Sequence, residues 1–404
     1  MRAPVASRRR VLRLCLGTSP LLAACLPPRA ALPAATATPR PAPAPPGPTP
    51  APPGPTATPR PAPTPAGPSA EVAPPATPAA APGREPVWIR AGLEGVDLRA
   101  LAADPRQPGT LYAGGAGLFK SSDAGGRASG GWVALRRDLQ VRDIAVSPAD
   151  PAVVYAGSTE FCLKGTTAPS YRSEDGGRTW RAIGGNLTSY APHPARREVV
   201  YAAACPSVVR SADGGKTWQA LEGSRDLNYE AHHVALAPSA PDVLYAMSAS
   251  EGGTVQLAKS EDGGATWQDV TPSEQIWAPA ALEVHPRNPN VAYAVTWTGV
   301  FRTDDGGARW TRANDGLEAA RRVDVSVVTY PLSALAIDPA RPDVLYLGTG
   351  GLGPEGLGIY RSLDGGVRWH RLGDGLGSRP VRAIVFAGPF VFAATGDGVW
   401  RVQW

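Results

Sequence analysis

The chain has 404 residues and a formal net charge of +5. The first 85 residues hold nine arginines against two glutamates, Glu71 and Glu85, which leaves 31 basic and 33 acidic residues from position 86 onward. The basic balance therefore belongs to the N-terminal segment, and it excludes a strongly basic globular body of the kind that binds nucleic acid.

Residues 7–25 read SRRRVLRLCLGTSPLLAAC, a basic stretch followed by an apolar run broken by Arg13, Gly17 and Pro20. The run is shorter than the ~20 residues a membrane-spanning helix needs, so residues 1–25 are expected to be a secretion signal. SRRRVLR resembles a twin-arginine export signal. Leu22-Ala23-Ala24-Cys25 resembles the lipobox of bacterial lipoproteins. That resemblance implies cleavage before Cys25, lipid on its thiol and an extracytoplasmic protein held on the bacterial membrane. The alternative is an ordinary signal peptide cut nearby.

Residues 26–85 are almost entirely Pro, Ala, Thr and Gly, with the near-repeats ATPRPAPAPPGPTP and ATPRPAPTPAGP. They offer no apolar periodicity to bury, so a disordered, polyproline-biased tether is expected. At ~3.1 Å per residue it could reach on the order of 150 Å. Of the four cysteines, Cys15 lies in the signal and Cys25 is the lipidation candidate. Cys162 and Cys205 remain in an exported body where oxidation is permitted, and they follow second strands of adjacent units on one face, so a disulfide between them is expected.

From position 86 to 404 one unit repeats. LSALAIDPARPDVLYLGTGGLGPEGLGIYRSLDGGVRWHRL contains an apolar strand, a Pro turn, strands around VLYLG and GIYRS, an Asp-Gly-Gly turn and a strand opened by Trp. Four short strands over ~40 residues predict a β-propeller blade. Second strands align on Tyr112, Tyr155, Tyr201, Tyr245, Tyr293, Tyr346 and Phe392; third strands on Lys120, Arg172, Arg210, Lys259, Arg302, Arg361 and Arg401. The turn aspartates are only six: Asp123, Asp175, Asp213, Asp262, Asp305 and Asp364. The chain ends before a seventh turn, and VWIRAGLEG at Val87 supplies the missing outer strand. Trp88 then joins Trp132, Trp180, Trp218, Trp267, Trp310 and Trp369 as the seventh tryptophan. The expected fold is all-β, a single seven-bladed propeller closed by its N-terminal strand.

The turns, such as RSEDGGRTW at 172–180, place Asp where it accepts backbone N–H groups, and Gly where positive φ is needed. They resemble the Asp-box, or bacterial-neuraminidase, repeat, over about 320 residues. The resemblance implies turns at the periphery, away from the ligand face. In SSDAGGRASGGW the spacing to Trp132 is longer, so an irregular first turn is expected. Propellers with this repeat include sialidases, xyloglucanases, sortilin-type receptor domains and the photosystem II assembly factor, so fold alone fixes no function.

Innermost strands align on Arg99, Arg142, Thr188, His232, Ala280, Ser333 and Arg382. Blades seven, one and two are neighbours, so Arg99, Arg142 and Arg382 are expected side by side at one mouth of the channel, with Asp143, Tyr190, His232 and His233 beside them. Three guanidiniums suit a carboxylate, sulfate or acidic protein patch. Equally, each could pair with a local Asp such as Asp97 or Asp143 and tie inner strands together. His232 and His233, being adjacent, should point to opposite faces of their strand, and no His cluster has metal-ligand spacing.

A second column is Ala102, Ala145, Ala191, Ala235, Glu283, Ala336 and Val385. Glu283 there should have a raised pKa or a cationic partner such as His232 or His233, and is commonly a paired structural residue. Hydrolysis of a glycosidic bond would need a second carboxylate, for which Asp143 is the candidate. Tyr229, Trp277, Trp297 and Tyr330 lie in longer loops of the same face and could stack on sugars, seal a protein contact or pack locally. Sialidases carry an Arg-Ile-Pro motif and a Tyr–Glu nucleophile pair. No Arg-Ile-Pro occurs here, and Tyr229-Glu230 are sequence neighbours, which is no evidence for facing side chains. The expectation is a monomeric binding or assembly module for a protein or glycan, without cofactor, metal or nucleic acid. The alternative is a glycoside hydrolase of xyloglucanase or sialidase type acting through Glu283 and Asp143.

Overall fold

The computed structural model describes residues 87–404 apart from 127–130, 159–167, 205–206, 228–229, 251, 325–326, 351–355, 374 and 404, and apart from the side chains of 225–231 and 323–328. The chain divides into units Met1–Thr77 and Pro78–Trp404, and all described residues belong to the second. The signal, Cys25, the tether, the Cys162–Cys205 pair and Tyr229 lie outside the described residues.

Seven sheets follow one another around an axis, and each innermost strand packs on the next. The innermost strands are Leu98–Ala103, Asp143–Val146, Leu187–Pro192, Glu230–Leu236, Pro279–Val284, Leu332–Ile337 and Val381–Ala387. Blades two to six each order their four strands consecutively outward. In blade one the second and third strands run on as Leu111–Ser121 without an assigned break. The chain nevertheless reverses there, because the Tyr112 hydroxyl and the Lys120 ammonium both donate to the Gly176 carbonyl, at 3.1 and 2.8 Å. Eight residues of uninterrupted strand would hold them roughly 26 Å apart.

The seventh sheet takes its outer strand from the start of the propeller. Ile89–Gly92 pairs antiparallel with Gly398–Gln403, Ile89 opposite Arg401 and Arg90 opposite Trp400. Trp88 is buried between blades six and seven with Leu372, Leu376 and Trp400. Asp397 clasps the closure: its carboxylate accepts from Arg90 Nη2 at 3.0 Å, Arg379 Nε at 3.2 Å and the Gly95 N–H at 3.0 Å. The two guanidiniums lie 4.7 and 4.8 Å from the Trp400 ring centre, within reach of its π-face.

The hydrophobic core is a set of seams. Seven apolar clusters each combine residues of two successive blades. The alignment columns are true cross-strand registers: Ala102, Ala145, Ala191, Ala235, Glu283, Ala336 and Val385 pair with Tyr112, Tyr155, Tyr201, Tyr245, Tyr293, Tyr346 and Phe392. In five of the seven blades a small Ala thus stands beside a large Tyr ring.

The Asp-Gly-Gly turns lie at the strand ends far from the arginine column. In blade two, Ser173 Oγ donates to Asp175 Oδ1 at 2.8 Å and accepts the Gly177 N–H at 2.7 Å, while Asp175 accepts both the N–H and hydroxyl of Thr179 at 2.9 and 2.6 Å. Gly176 and Gly177 have φ of 69° and 91°, the left-handed region that Gly enters without a Cβ penalty. The irregular first turn keeps Ser121 bonded to Asp123 at 2.9 Å but places Ala124 at φ 56° where other blades have Gly.

Several of these turns also latch the preceding blade. The hydroxyls of Tyr112, Tyr201 and Tyr293 donate to Gly176, Gly263 and Gly365 of the next blade. Arg401 closes the circle by donating to the Ala124 carbonyl at 2.9 Å. The Trp indoles of Trp132, Trp218, Trp310 and Trp369 reach back to carbonyls of Ala91, Ile183, Val270 and Ala313 on the previous outer strand.

Candidate functional site

At the opposite ends of the strands, the register of the innermost strands slips by one residue in the same place around the ring. The extra residue is Arg99, Thr188, His232, Ala280, Ser333 and Arg382 in blades one, three, four, five, six and seven. In blade two, Arg142 donates its N–H to the Gly157 carbonyl while Asp143 pairs with the same Gly157. The column read from sequence as the channel mouth is thus a ring of β-bulges. A bulge sets two residues against one and re-aims their side chains.

The ring opens into an axial cavity of about 940 Å³ that Arg99, Arg142, Arg382, His232, Asp143 and Glu283 help to line. It reaches past the strands to Pro148, Pro194 and Pro238 at their far ends, so it runs the length of the inner wall. A second groove of about 580 Å³ adjoins it at Arg382, between Asp97, Arg379 and Asp397.

The three arginines come together on the wall of blades seven, one and two. Asp97 bridges two of them, 3.2 Å from Arg99 and 3.9 Å from Arg382, so the local Asp partner is Asp97 and it serves a pair. Asp143 does other work: its Oδ2 accepts the Tyr190 N–H at 3.0 Å, tying blade two to blade three. Thr188 Oγ1 donates to the His232 carbonyl at 3.1 Å and Ser333 Oγ donates to the Val381 carbonyl, so these mouth residues stitch one inner strand to the next. Tyr190 is nearly buried and its ring stacks on Tyr155, with centroids 5.8 Å apart. It is a wall element that presents little surface to a ligand.

His232 and His233 depart from the expectation of opposite faces. The bulge between Ala231 and His233 breaks the alternation, and both line the cavity. Burial lowers the pKa of each, that of His233 to about 3 with a further push from His232, so both are neutral imidazoles near pH 7. They offer a donor and an acceptor each, not charge.

Glu283 also departs from the paired role expected of it. Among the described residues its carboxyl has no ion pair or hydrogen bond, and burial alone pushes its pKa up to about 7. Asp143 is likewise raised to about 7 by burial, against the N–H groups of Tyr190 and Ile144 that favour its charge. The two acids stand three blades apart in a ring of seven, on opposing walls. Asp143 is two residues nearer the mouth in register, about 7 Å along the strand. No cluster of three or more His, Cys, Asp or Glu fit for a metal ion occurs among the described residues.

Of the loop aromatics, Trp277 is 38% exposed and Trp297 and Tyr330 are half-buried. Trp297 lines the cavity, and its N–H reaches the Trp277 carbonyl at 3.0 Å while its own carbonyl accepts the Tyr330 N–H at 2.7 Å. Ala278, between Trp277 and the bulge, sits at φ 52°. Residue order carries no signal for this backbone knot, because it depends on which loops meet above blade five.

No protein-family model matches the chain. A xyloglucanase from a Paenibacillus species is 27% identical over 276 residues, covering 62% of this chain and 23% of that protein. Among solved structures, the GH74 xyloglucanase from Xanthomonas campestris has a TM-score of 0.62 at 19% identity, covering 78% of this chain and 53% of that one. YCF48 from Cyanidioschyzon merolae has a TM-score of 0.51 at 15% identity, with coverage of 78% and 98%. YCF48 bound to D1 peptide has a TM-score of 0.52 at 15% identity, with coverage of 80% and 97%. The chain spans about a quarter of the curated xyloglucanase and about half of the solved one, but nearly all of YCF48. At such identities the structural likeness concerns the fold, and on that ground the chain is a seven-bladed β-propeller that shares its architecture with both a xyloglucanase and YCF48.

Proposed function

We propose that the protein is an exported, lipid-anchored propeller that binds an acidic protein segment or glycan at the bulge-ring mouth and performs no chemistry on it. The gathering of Arg99, Arg142 and Arg382 on one wall of the axial cavity carries this reading. Glycosidases flank one bond with two carboxyls about 5–10 Å apart. Here the two acids differ in depth, face each other across the channel, and one is engaged with the Tyr190 N–H. Arg99, Arg142 and Arg382 give the opposite wall a cationic character suited to carboxylate or sulfate. The near-complete overlap with YCF48, which was captured with a peptide, supports a single propeller as a sufficient binding unit. Cys25 would carry the lipid, and the Pro-rich segment would hold the propeller away from the membrane as a monomer.

The test screens the full chain on glycan and acidic-peptide arrays with parallel assay of reducing-sugar release. Saturable binding without release is expected, with binding weakened by Arg142→Ala. Polysaccharide cleavage that disappears in Glu283→Gln would overturn the reading in favour of a hydrolase. That second reading is favoured by one observation: Glu283 holds a proton near neutrality in a channel large enough for a sugar, as a general acid must. Membrane fractionation of Cys25→Ala checks the anchor, and the variant should leave the membrane fraction.

A further inference from the structure

Glu283 has no counterpart in the other blades. At its register position they carry Ala or Val, so among the described residues no other inner strand places a cation at that position. The arginine column lies three residues nearer the mouth, about 10 Å along the strands, and on the far wall. The carboxyl shares its strand face with Ala281 and lies beside Tyr293, at the channel edge of the seam between blades five and six. The described titratable side chains on the flanking inner strands are His232 and His233 of blade four, while Leu332–Ile337 of blade six carries none. Both imidazoles are neutral, so neither offers Glu283 a charge. The carboxyl is thus a half-buried acid with no partner among the described residues, opening on a cavity with room for one and with apolar walls beside it. A group that supplies a positive charge and N–H donors gains most there, because charge-assisted hydrogen bonds are roughly twice as strong as neutral ones.

We infer that Glu283 is the receptor for a primary ammonium group on an unbranched alkyl stem, the ammonium meeting the carboxylate and the stem lying along the small residues of the inner wall. The inference rests on the reading of the axial channel as a ligand site and adds the chemical class that its blade-five wall accepts. With the arginines opposite, the channel would favour ligands that carry an acid at one end and an amine at the other. Burial holds the empty carboxyl protonated up to about pH 7, and an ammonium partner would release that proton.

The experiment titrates the full chain with n-butylammonium chloride and, separately, with n-butanol, following the Glu283 carboxyl by ¹³C NMR. Saturable binding of the amine is expected at pH 8, at least tenfold tighter than the alcohol, with the Glu283 titration midpoint shifted down by one unit or more in its presence. Glu283→Gln, nearly isosteric, should lose the amine at least tenfold while keeping the circular-dichroism spectrum. If it does not fold, the midpoint shift in the wild type decides alone. Equal binding of amine and alcohol, or an unmoved Glu283 midpoint, overturns the inference. Arginine-dependent binding of acidic peptides would survive that result, whereas its loss with amine binding intact would sink only the parent reading.

Discussion

At Glu283 a carboxyl occupies a register position that six blades fill with alanine or valine, and its environment decides its proton. Unfolded, it titrates near the ordinary 4.5; folded, burial raises it to about 7. The folded state therefore holds the proton more tightly. The stability this contributes is fully present below about pH 4.5 and is lost as pH rises through 7. Glu283→Gln removes the dependence. Its stability relative to wild type should rise between pH 4.5 and pH 8.5 by up to about 3 kcal/mol, less whatever channel water recovers by solvating the carboxylate. Urea melts at the two pH values check this, and an identical difference at both would contradict it. The odd Glu stood out in the aligned sequence, and the two outcomes foreseen for it were a raised pKa or a cationic partner. Choosing between them needed the neighbours of the strand, which include Glu230–Leu236 and Leu332–Ile337 of the adjacent blades.

At the scale of the element, the Asp-Gly-Gly turn joins local and blade-to-blade bonding. Ser173 is buried and engages Asp175 and the Gly177 N–H within its own turn. Ser173→Ala leaves the Gly177 N–H without a partner and should cost about 2 kcal/mol in a urea melt. The latch between blades is separable from this. Tyr293→Phe removes only the hydroxyl that meets the Gly365 carbonyl at 2.8 Å and should cost about 1 kcal/mol. If Tyr293→Phe melts like wild type, the latch contributes packing alone. The motif was visible in sequence because turn chemistry is local: Ser, Asp and Gly act within five residues. Its latching role was not, because the Tyr donor lies 62 to 72 residues away in two of the blades where the bond is seen. The bulge ring was hidden for a related reason. A register slip changes which residues face each other without changing the order of residue types, so His232 and His233 read as opposite-facing.

For the whole molecule, closure depends on the four-residue strand at the start of the propeller. Without Ile89–Gly92 the Gly398–Gln403 strand would present an unpaired edge, a template for pairing with another copy. A chain beginning at Leu93 should form dimers or larger species in light scattering. A monomer with the wild-type melting temperature would show the closing strand to be dispensable. Trp88→Ala keeps the strand but empties a buried site between blades six and seven, and should cost about 3–5 kcal/mol by chemical denaturation.

The count of seven blades and the closing strand were determined by the sequence itself. A repeat writes its periodicity into residue order, and a missing turn at one end must be matched by a spare strand at the other. Tertiary structure alone decided that Asp97 joins Arg99 to Arg382, that Asp143 answers to Tyr190, and that Glu283 faces an open channel with no partner among the described residues. Those outcomes turn on distances across the axis, between residues that one chain brings together only when the ring closes.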